Sequence, residues 1–165
     1  MQLKNKFGFE LKYRSIVLLS MLVVIPNLLG LLDIPTMWGF KIHIFQYMVF
    51  VAAFVLGPLA GLVAGGFGSV MATVSMGNPV IFVGNMWLGF LVGLFSRRGF
   101  GKLQSVGLAM AIQLPFVMLA DFYLIGMPVA VLWKLLVSLI VCDLVWAVAA
   151  MKSAPWFSGL VSVKN

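Results

Sequence analysis

The fold is decided by the stretch from Gly57 to Pro79, which reads GPLAGLVAGGFGSVMATVSMGNP and contains no charged residue. Proline suits the first turn of a helix, where an N–H would have no carbonyl to bond, so Pro58 and Pro79 each predict a helix start. The sequence Gly77-Asn78-Pro79, which ends the stretch, is typical of a turn. A bilayer is crossed by about 20 mainly apolar residues. We therefore predict a membrane-spanning helix over residues 58–76, followed directly by another.

The composition places the whole chain in a membrane. Of its 165 residues, 63% are hydrophobic and 9% are charged, and the mean hydropathy is +1.14. A soluble domain carries about 25% charged residues, and a chain of this length has too little interior to hide so much apolar surface. These values exclude an ordinary cytosolic enzyme and a disordered chain. The single cysteine, Cys142, excludes an internal disulfide scaffold.

Apolar segments between turn sequences predict six membrane spans. Six spans of about 20 residues use most of the chain, which leaves no room for a further domain. The sequence therefore predicts an all-α membrane protein, a compact bundle of six transmembrane helices in one domain over residues 1–165. The predicted spans are residues 15–32, 44–56, 58–76, 79–96, 104–125 and 128–151.

The positions of the basic residues predict the orientation of the bundle. Cytoplasmic segments of membrane proteins carry an excess of lysine and arginine. With the N-terminus inside, nine of the 11 basic residues lie in cytoplasmic segments, while Lys41 lies outside and Lys134 lies within the sixth span. Both termini are therefore predicted to be cytoplasmic, which requires an even number of spans. The net charge of +7 reflects this topology and needs no nucleic-acid partner. The nine are Lys4, Lys6, Lys12, Arg14, Arg97, Arg98, Lys102, Lys152 and Lys164.

The third span carries small residues at helical spacing. Ala60, Ala64 and Gly68 recur every four residues and share one face, and Gly61 and Gly65 share another. Small residues at this spacing let helix backbones approach closely in a membrane. The pattern leaves two interpretations open, packing inside the bundle or docking of a partner subunit.

Polar side chains on separate spans converge near the outer face. Asn85 and Lys134 each lie six residues after a proline that opens a span, at a depth of about 9 Å. Asp121 lies at a similar depth near the outer end of the fifth span. Polar residues in lipid are costly and usually face the bundle interior. The sequence therefore predicts a small-molecule pocket at this level, with Asp121 and Lys134 either binding the ligand or neutralising each other.

Further residues near the same level complete the predicted site. Three are polar and four are aromatic, and a pocket for a small molecule combines both kinds of surface. The alternative for the aromatic residues is an interfacial belt, which tryptophan and tyrosine form in many membrane proteins. The additional candidates are Gln46, His43, Asn78, Trp38, Trp87, Tyr123 and Trp133.

Further polar residues in the spans are assigned structural roles. Asp143 lies deep in the sixth span, where a hydrogen bond to a neighbouring helix is expected. Pro26 and Pro115 interrupt the first and fifth spans, and Asn27, Gln113 or water could bond the carbonyls that these prolines free.

Motifs of enzyme chemistry do not occur in the sequence. It contains no Walker A sequence, no GxSxG, no HExxH and no cluster of cysteine and histidine. The expected protein is therefore not an enzyme, and no metal or cofactor is predicted. Active transport by this chain would require energy from another subunit.

Several short motifs give the chain a family resemblance. It resembles the substrate-binding S components of energy-coupling factor (ECF) transporters over roughly residues 1–155. The motifs are Phe45-Gln46, Leu56-Gly57-Pro58-Leu59-Ala60-Gly61 with Gly65 and Gly68, Gly77-Asn78-Pro79, Gly84-Asn85, Leu88-Gly89-Phe90 with Gly93, and Arg97-Arg98.

The resemblance implies a subunit of the prokaryotic cell membrane that captures a vitamin, a vitamin precursor or a related micronutrient. A transmembrane coupling subunit and two ATPases would supply the energy. In this family the pocket lies near the outer face, where Asn85, Asp121 and Lys134 are predicted. Small residues of the first three helices contact the coupling subunit, and the third helix here supplies Ala60, Ala64 and Gly68, together with Gly61 and Gly65. The first helix lacks the alanine pair of the family.

A second class of protein has similar short chains of six helices. This alternative is a non-transporting membrane scaffold of the cell-shape machinery, such as the protein MreD. It would bind morphogenesis partners and no small ligand.

Overall fold

The computed structural model describes residues 13–29 and 45–162, and these residues form helices joined by short turns. The predictions for Trp38 and His43 fall outside the described residues. The helices are α1 (Tyr13–Leu29), α2 (Phe45–Val55), α3 (Pro58–Gly68), α4 (Val70–Met76), α5 (Pro79–Arg97), α6 (Lys102–Ala120), a π-helical segment (Asp121–Ile125) and α7 (Val129–Val161).

Four helical units in the described part are long and apolar enough to cross a membrane. The helices α1 and α2 are apolar but shorter than these four. The prediction of an all-α membrane protein is thereby confirmed. The four units are Pro58–Met76, Pro79–Arg97, Lys102–Ile125 and Val129–Val161.

The third predicted span is broken into α3 and α4 at Ser69. The Ser69 hydroxyl donates to the carbonyl oxygens of Gly65 at 2.7 Å and Gly66 at 3.0 Å. A serine that bonds back to the preceding turn in this way often bends a helix. Asn27 of α1 lies beside the break, because its side-chain oxygen accepts from the backbone N–H of Met71 at 2.9 Å. The first turn of α4 is therefore bonded to α1 directly after the break.

The helices α3 and α5 touch backbone to backbone through glycines. A Cβ atom added at Gly61 would clash with the carbonyl oxygen of Gly89, and one added at Gly65 would clash with the carbonyl oxygen of Asn85. Such contacts are how small residues drive association where lipid removes the hydrophobic effect. The pattern in the third span thus serves packing inside the bundle.

The other small residues of the predicted docking set are also buried in this chain. Ala60 and Ala64 have no exposed surface, and Gly68 faces Leu22 and Pro26 of α1. Internal packing accounts for the size of these residues. Their docking to a partner subunit stays a prediction.

The core is centred on α2, which packs against α1, α3, α5 and α7. Phe50, Val51 and Ala52 in its middle have no exposed surface. A helix that is apolar all round fits this central position. The last helix, α7, continues past the predicted end of the sixth span at residue 151 and reaches Val161.

The glycine contacts predict the outcome of single methyl insertions. Gly61→Ala and Gly65→Ala each force α3 and α5 apart, and overpacking of this kind costs about 1–3 kcal/mol. We expect the apparent Tm of the purified protein in detergent to fall by several degrees for each variant. The control is Gly107→Ala on α6, where an added Cβ meets nothing within 4 Å. An equal Tm for Gly61→Ala and Gly107→Ala would contradict the packing described here.

Candidate functional site

A cavity of about 450 Å³ lies between α2, α4, α5, α6 and α7. It occupies the end of the bundle where α5 begins and α6 ends. Its wall contains five of the polar residues that the sequence predicts for the site. They are Gln46, Asn78, Asn85, Asp121 and Lys134.

Asn78 ties two elements of the cavity wall together. Its side-chain oxygen accepts from the backbone N–H of Val80 at 2.9 Å, which caps the N-terminus of α5. Its side-chain nitrogen donates to Oδ1 of Asp121 at 2.8 Å. One buried amide therefore fixes the start of α5 against the end of α6.

Asp121 lies where α6 changes into the π-helical segment. Isolated π turns occur mostly at functional sites. The backbone closes the segment with a bond from Met127 N–H to the Asp121 carbonyl at 3.0 Å. The side chain is only 1% exposed and lines the cavity. Gly126 follows with a φ of 74°, a conformation that favours glycine and ends the helix.

Asn85 serves both the helix packing and the cavity. Its backbone carbonyl contacts Gly65 of α3, while its side chain lines the cavity. The side-chain nitrogen donates to the carbonyl oxygen of Ile81 one turn earlier, at 2.8 Å. This bond holds the side chain against its own helix.

Two buried glutamines contribute amides whose oxygens have no hydrogen-bond partner among residues 13–29 and 45–162. Gln46 of α2 is 2% exposed and Gln113 of α6 is 4% exposed. Both line the cavity, and Oε1 of each is buried without a partner. Unpaired buried polar atoms are rare in native proteins and call for a partner. Gln113 therefore belongs to the cavity, and the structure gives it no bond to a carbonyl freed by Pro115.

One face of α7 presents a row of polar side chains to the cavity. Lys134, Ser138 and Cys142 are spaced by four residues, and all three line the cavity. Of these three residues, the sequence predicted only Lys134 as part of the site. The spacing of four from Lys134 was the available signal for the other two, because residues at that spacing share a helix face.

The comparison with protein families decides what kind of protein carries this cavity. The family described as "ECF transporter, substrate-specific component" matches residues 14–161. The chain belongs to this family. No match was found among curated proteins or among solved structures.

The family assignment confirms the resemblance that the sequence motifs indicate. An S component is a part of a transporter and not an enzyme. The match does not favour the cell-shape scaffold. It also identifies the chain as a multi-pass membrane protein, in agreement with the apolar helices.

The aromatic candidates of this S component point away from the cavity. Trp87 is 49% exposed, Trp133 is 64% exposed and Tyr123 is 75% exposed, and the cavity wall does not include them. They lie on the outer surface of the bundle, as expected for residues that face lipid or its interface. The apolar wall consists instead of residues such as Phe45, Val117 and Leu139.

Asp143 of the S component does not make the expected bond to a neighbouring helix. It is 1% exposed, and its Oδ1 has no hydrogen-bond partner in the part of the chain that the structure describes. The Nε1 atom of Trp146, one turn along α7, is also buried and unpaired.

Among residues 13–29 and 45–162, no group of three histidine, cysteine, aspartate or glutamate side chains could hold a metal ion.

The double role of Asn78 predicts two separable losses of stability. Asn78→Ser keeps a capping oxygen and loses the donor to Asp121, whereas Asn78→Ala loses both. Loss of a buried hydrogen bond costs about 1–3 kcal/mol and loss of a cap costs about 1 kcal/mol. We expect thermal unfolding in detergent to rank the proteins wild type, then Asn78→Ser, then Asn78→Ala. Equal stability of all three would show that neither bond matters.

Proposed function

We propose that this S component captures a small micronutrient, a vitamin or a vitamin precursor, in the cavity between α2, α4, α5, α6 and α7. The ligand enters from the outer face of a prokaryotic cell membrane and is released inside. A separate coupling subunit and two ATPases supply the energy, because the chain carries no ATPase motif.

The observation that carries this proposal is the composition of the cavity wall. Ligand pockets for small molecules measure about 300–1,000 Å³ and combine apolar walls with a few convergent polar groups. The cavity of about 450 Å³ has this size, and its polar residues come from α2, α5, α6 and α7. Packing alone does not require polar groups from four helices at one level of a membrane bundle, where each of them is costly.

The charge distribution supports an outward-facing cavity. Asn78 precedes the first turn of α5, and Arg97 ends that helix, about 28 Å away along its axis. Arg98 and Lys102 follow at the same end as Arg97. Since basic residues collect on the cytoplasmic side, the cavity faces outwards in a six-span arrangement with both termini in the cytoplasm. Accessibility of tagged termini to a protease from each side of the membrane would check this topology.

The contact with the coupling subunit is also a proposal. The small residues of α3 are buried within this chain. The exposed side chains on the same helix are Leu59, which is 37% exposed, and Phe67, which is 54% exposed. A coupling subunit could reach these two side chains and the partly exposed Leu62 and Val63.

Ligand retention tests the proposed function. Native mass spectrometry of the purified S component, followed by a panel of vitamins and their precursors, should identify a molecule bound below millimolar concentration. Lys134→Ala and Asn85→Ala should each weaken its binding by more than about 1 kcal/mol, because each removes a polar partner in the cavity. Lys152→Ala is the matched control on the same helix, outside the cavity wall.

Two results would contradict the proposal. One is the absence of binding by every compound of the panel. The other is a bound micronutrient whose affinity falls as much for Lys152→Ala as for Lys134→Ala.

A further inference from the structure

The cavity wall contains an acidic and a basic side chain that do not pair with each other. Asp121 and Lys134 both line the cavity. Within residues 13–29 and 45–162, no lysine or arginine nitrogen lies within 4.0 Å of the Asp121 carboxylate. The pairing that the sequence left open is thus not formed, and each group has capacity for another partner.

The Asp121 carboxyl group is deeply buried and has little compensation. It is 1% exposed, and the structure gives it one hydrogen bond, from Asn78. An ionised carboxylate offers about four acceptor sites, and burying it is costly unless it is paired and hydrogen-bonded. The missing partner is a group that donates hydrogen bonds, and a cationic donor would compensate the charge best.

Lys134 supplies the opposite charge to the same cavity wall, and unlike Asp121 it is an exposed residue. Its ammonium group has three donors and no acceptor. Asp143 of α7 is the other acidic residue, besides Asp121, within residues 13–29 and 45–162, and it lies nine positions after Lys134, about 13 Å along the helix axis. That separation is too large for an ion pair with Lys134. An acidic group on a ligand would supply the counter-charge.

Two glutamines add further polar groups to the cavity wall. The side-chain amides of Gln46 and Gln113 reach the wall from α2 and α6, and each retains an unpaired buried oxygen. A hydrocarbon ligand would leave both amide oxygens without a hydrogen bond, which is unfavourable for buried polar atoms. A ligand with hydrogen-bonding atoms would pair with them.

We infer that the cavity takes a dipolar organic molecule, with an amino or other cationic donor at Asp121, an acidic group at Lys134 and further polar atoms at Gln46 and Gln113. This inference rests on the proposed function, because it takes the cavity to be the ligand site. It adds the chemical class of the ligand to that proposal.

Cys142 provides a reporter for the test. It is the single cysteine of the chain and lines the same cavity. Its thiolate attacks the divalent sulfur of a methanethiosulfonate, so that a mixed disulfide forms with the group on that sulfur and methanesulfinate leaves with the bonding electron pair. A molecule in the cavity slows this labelling, which mass spectrometry of the intact protein measures. Cys142→Ser gives the background.

The probes are matched in size and differ in charge. The dipolar probes are 4-(aminomethyl)benzoate and the flexible 6-aminohexanoate. The probe with the acidic group alone is 4-methylbenzoate, and the probe with the amino group alone is 4-methylbenzylamine. Each is tested for protection of Cys142 in the purified protein.

We expect at least one dipolar probe to protect Cys142 at a concentration about tenfold or more below that of either singly charged probe. The isosteric variant Asp121→Asn should abolish the advantage over 4-methylbenzoate, because the partner of the amino group loses its charge. Lys134→Gln should abolish the advantage over 4-methylbenzylamine. Both variants keep side chains of similar shape, and the amide oxygen introduced by Asp121→Asn can still accept the bond from Asn78.

Three results would overturn the inference. They are equal protection by the singly charged probes, a dipolar advantage that survives in both variants, and no protection by either dipolar probe at millimolar concentration. The inference about ligand class can fail while the proposed function stands. A micronutrient found in the cavity without any preference for dipolar probes would leave the proposed function standing and remove the inference.

Discussion

The close contact between α3 and α5 is the constraint on which the rest of the structure depends. The two backbones meet at Gly61 with Gly89 and at Gly65 with Asn85. No larger side chain fits at the glycines, so the distance between these helices is set by backbone atoms and not by flexible side chains. In a bilayer, where apolar side chains gain nothing by leaving lipid for a helix interface, this packing is a main source of association.

The same contact positions the candidate site. Asn85 lies at the interface through its backbone and in the cavity wall through its side chain. Seven residues before it, Asn78 caps α5 and holds Asp121. The start of α5 is thus fixed both to α3 and to the end of α6, and the cavity lies beside these two contacts. Its wall keeps polar atoms unpaired inside a membrane protein, which costs stability and which a bound molecule would offset.

The sequence predicted the parts of this arrangement that depend on strong local signals. Pro58 and Pro79 placed two helix starts, as the structure has them. The scarcity of polar residues in the spans made Asn85, Asp121 and Lys134 stand out, and the structure brings them to one cavity. These signals are local or purely compositional.

The remaining features depend on tertiary contacts that local patterns do not encode. The break at Ser69 coincides with a hydroxyl that bonds the preceding turn, as Ser105 and Ser153 also do in unbroken helices. The aromatic residues lie near the right level, but their direction around each helix depends on packing, and Trp133 faces outwards. Gln113 was assigned to a nearby proline because a single sequence does not show which neighbour a buried amide faces.

The central claim is that the cavity of this S component is where its substrate binds. A structure of the protein with the molecule that it retains through purification, determined by crystallography or electron cryomicroscopy, tests this claim most directly. We predict density for the molecule in contact with Asn85, Gln113 and Lys134. Density for it at another site, with the cavity holding water alone, would contradict the claim.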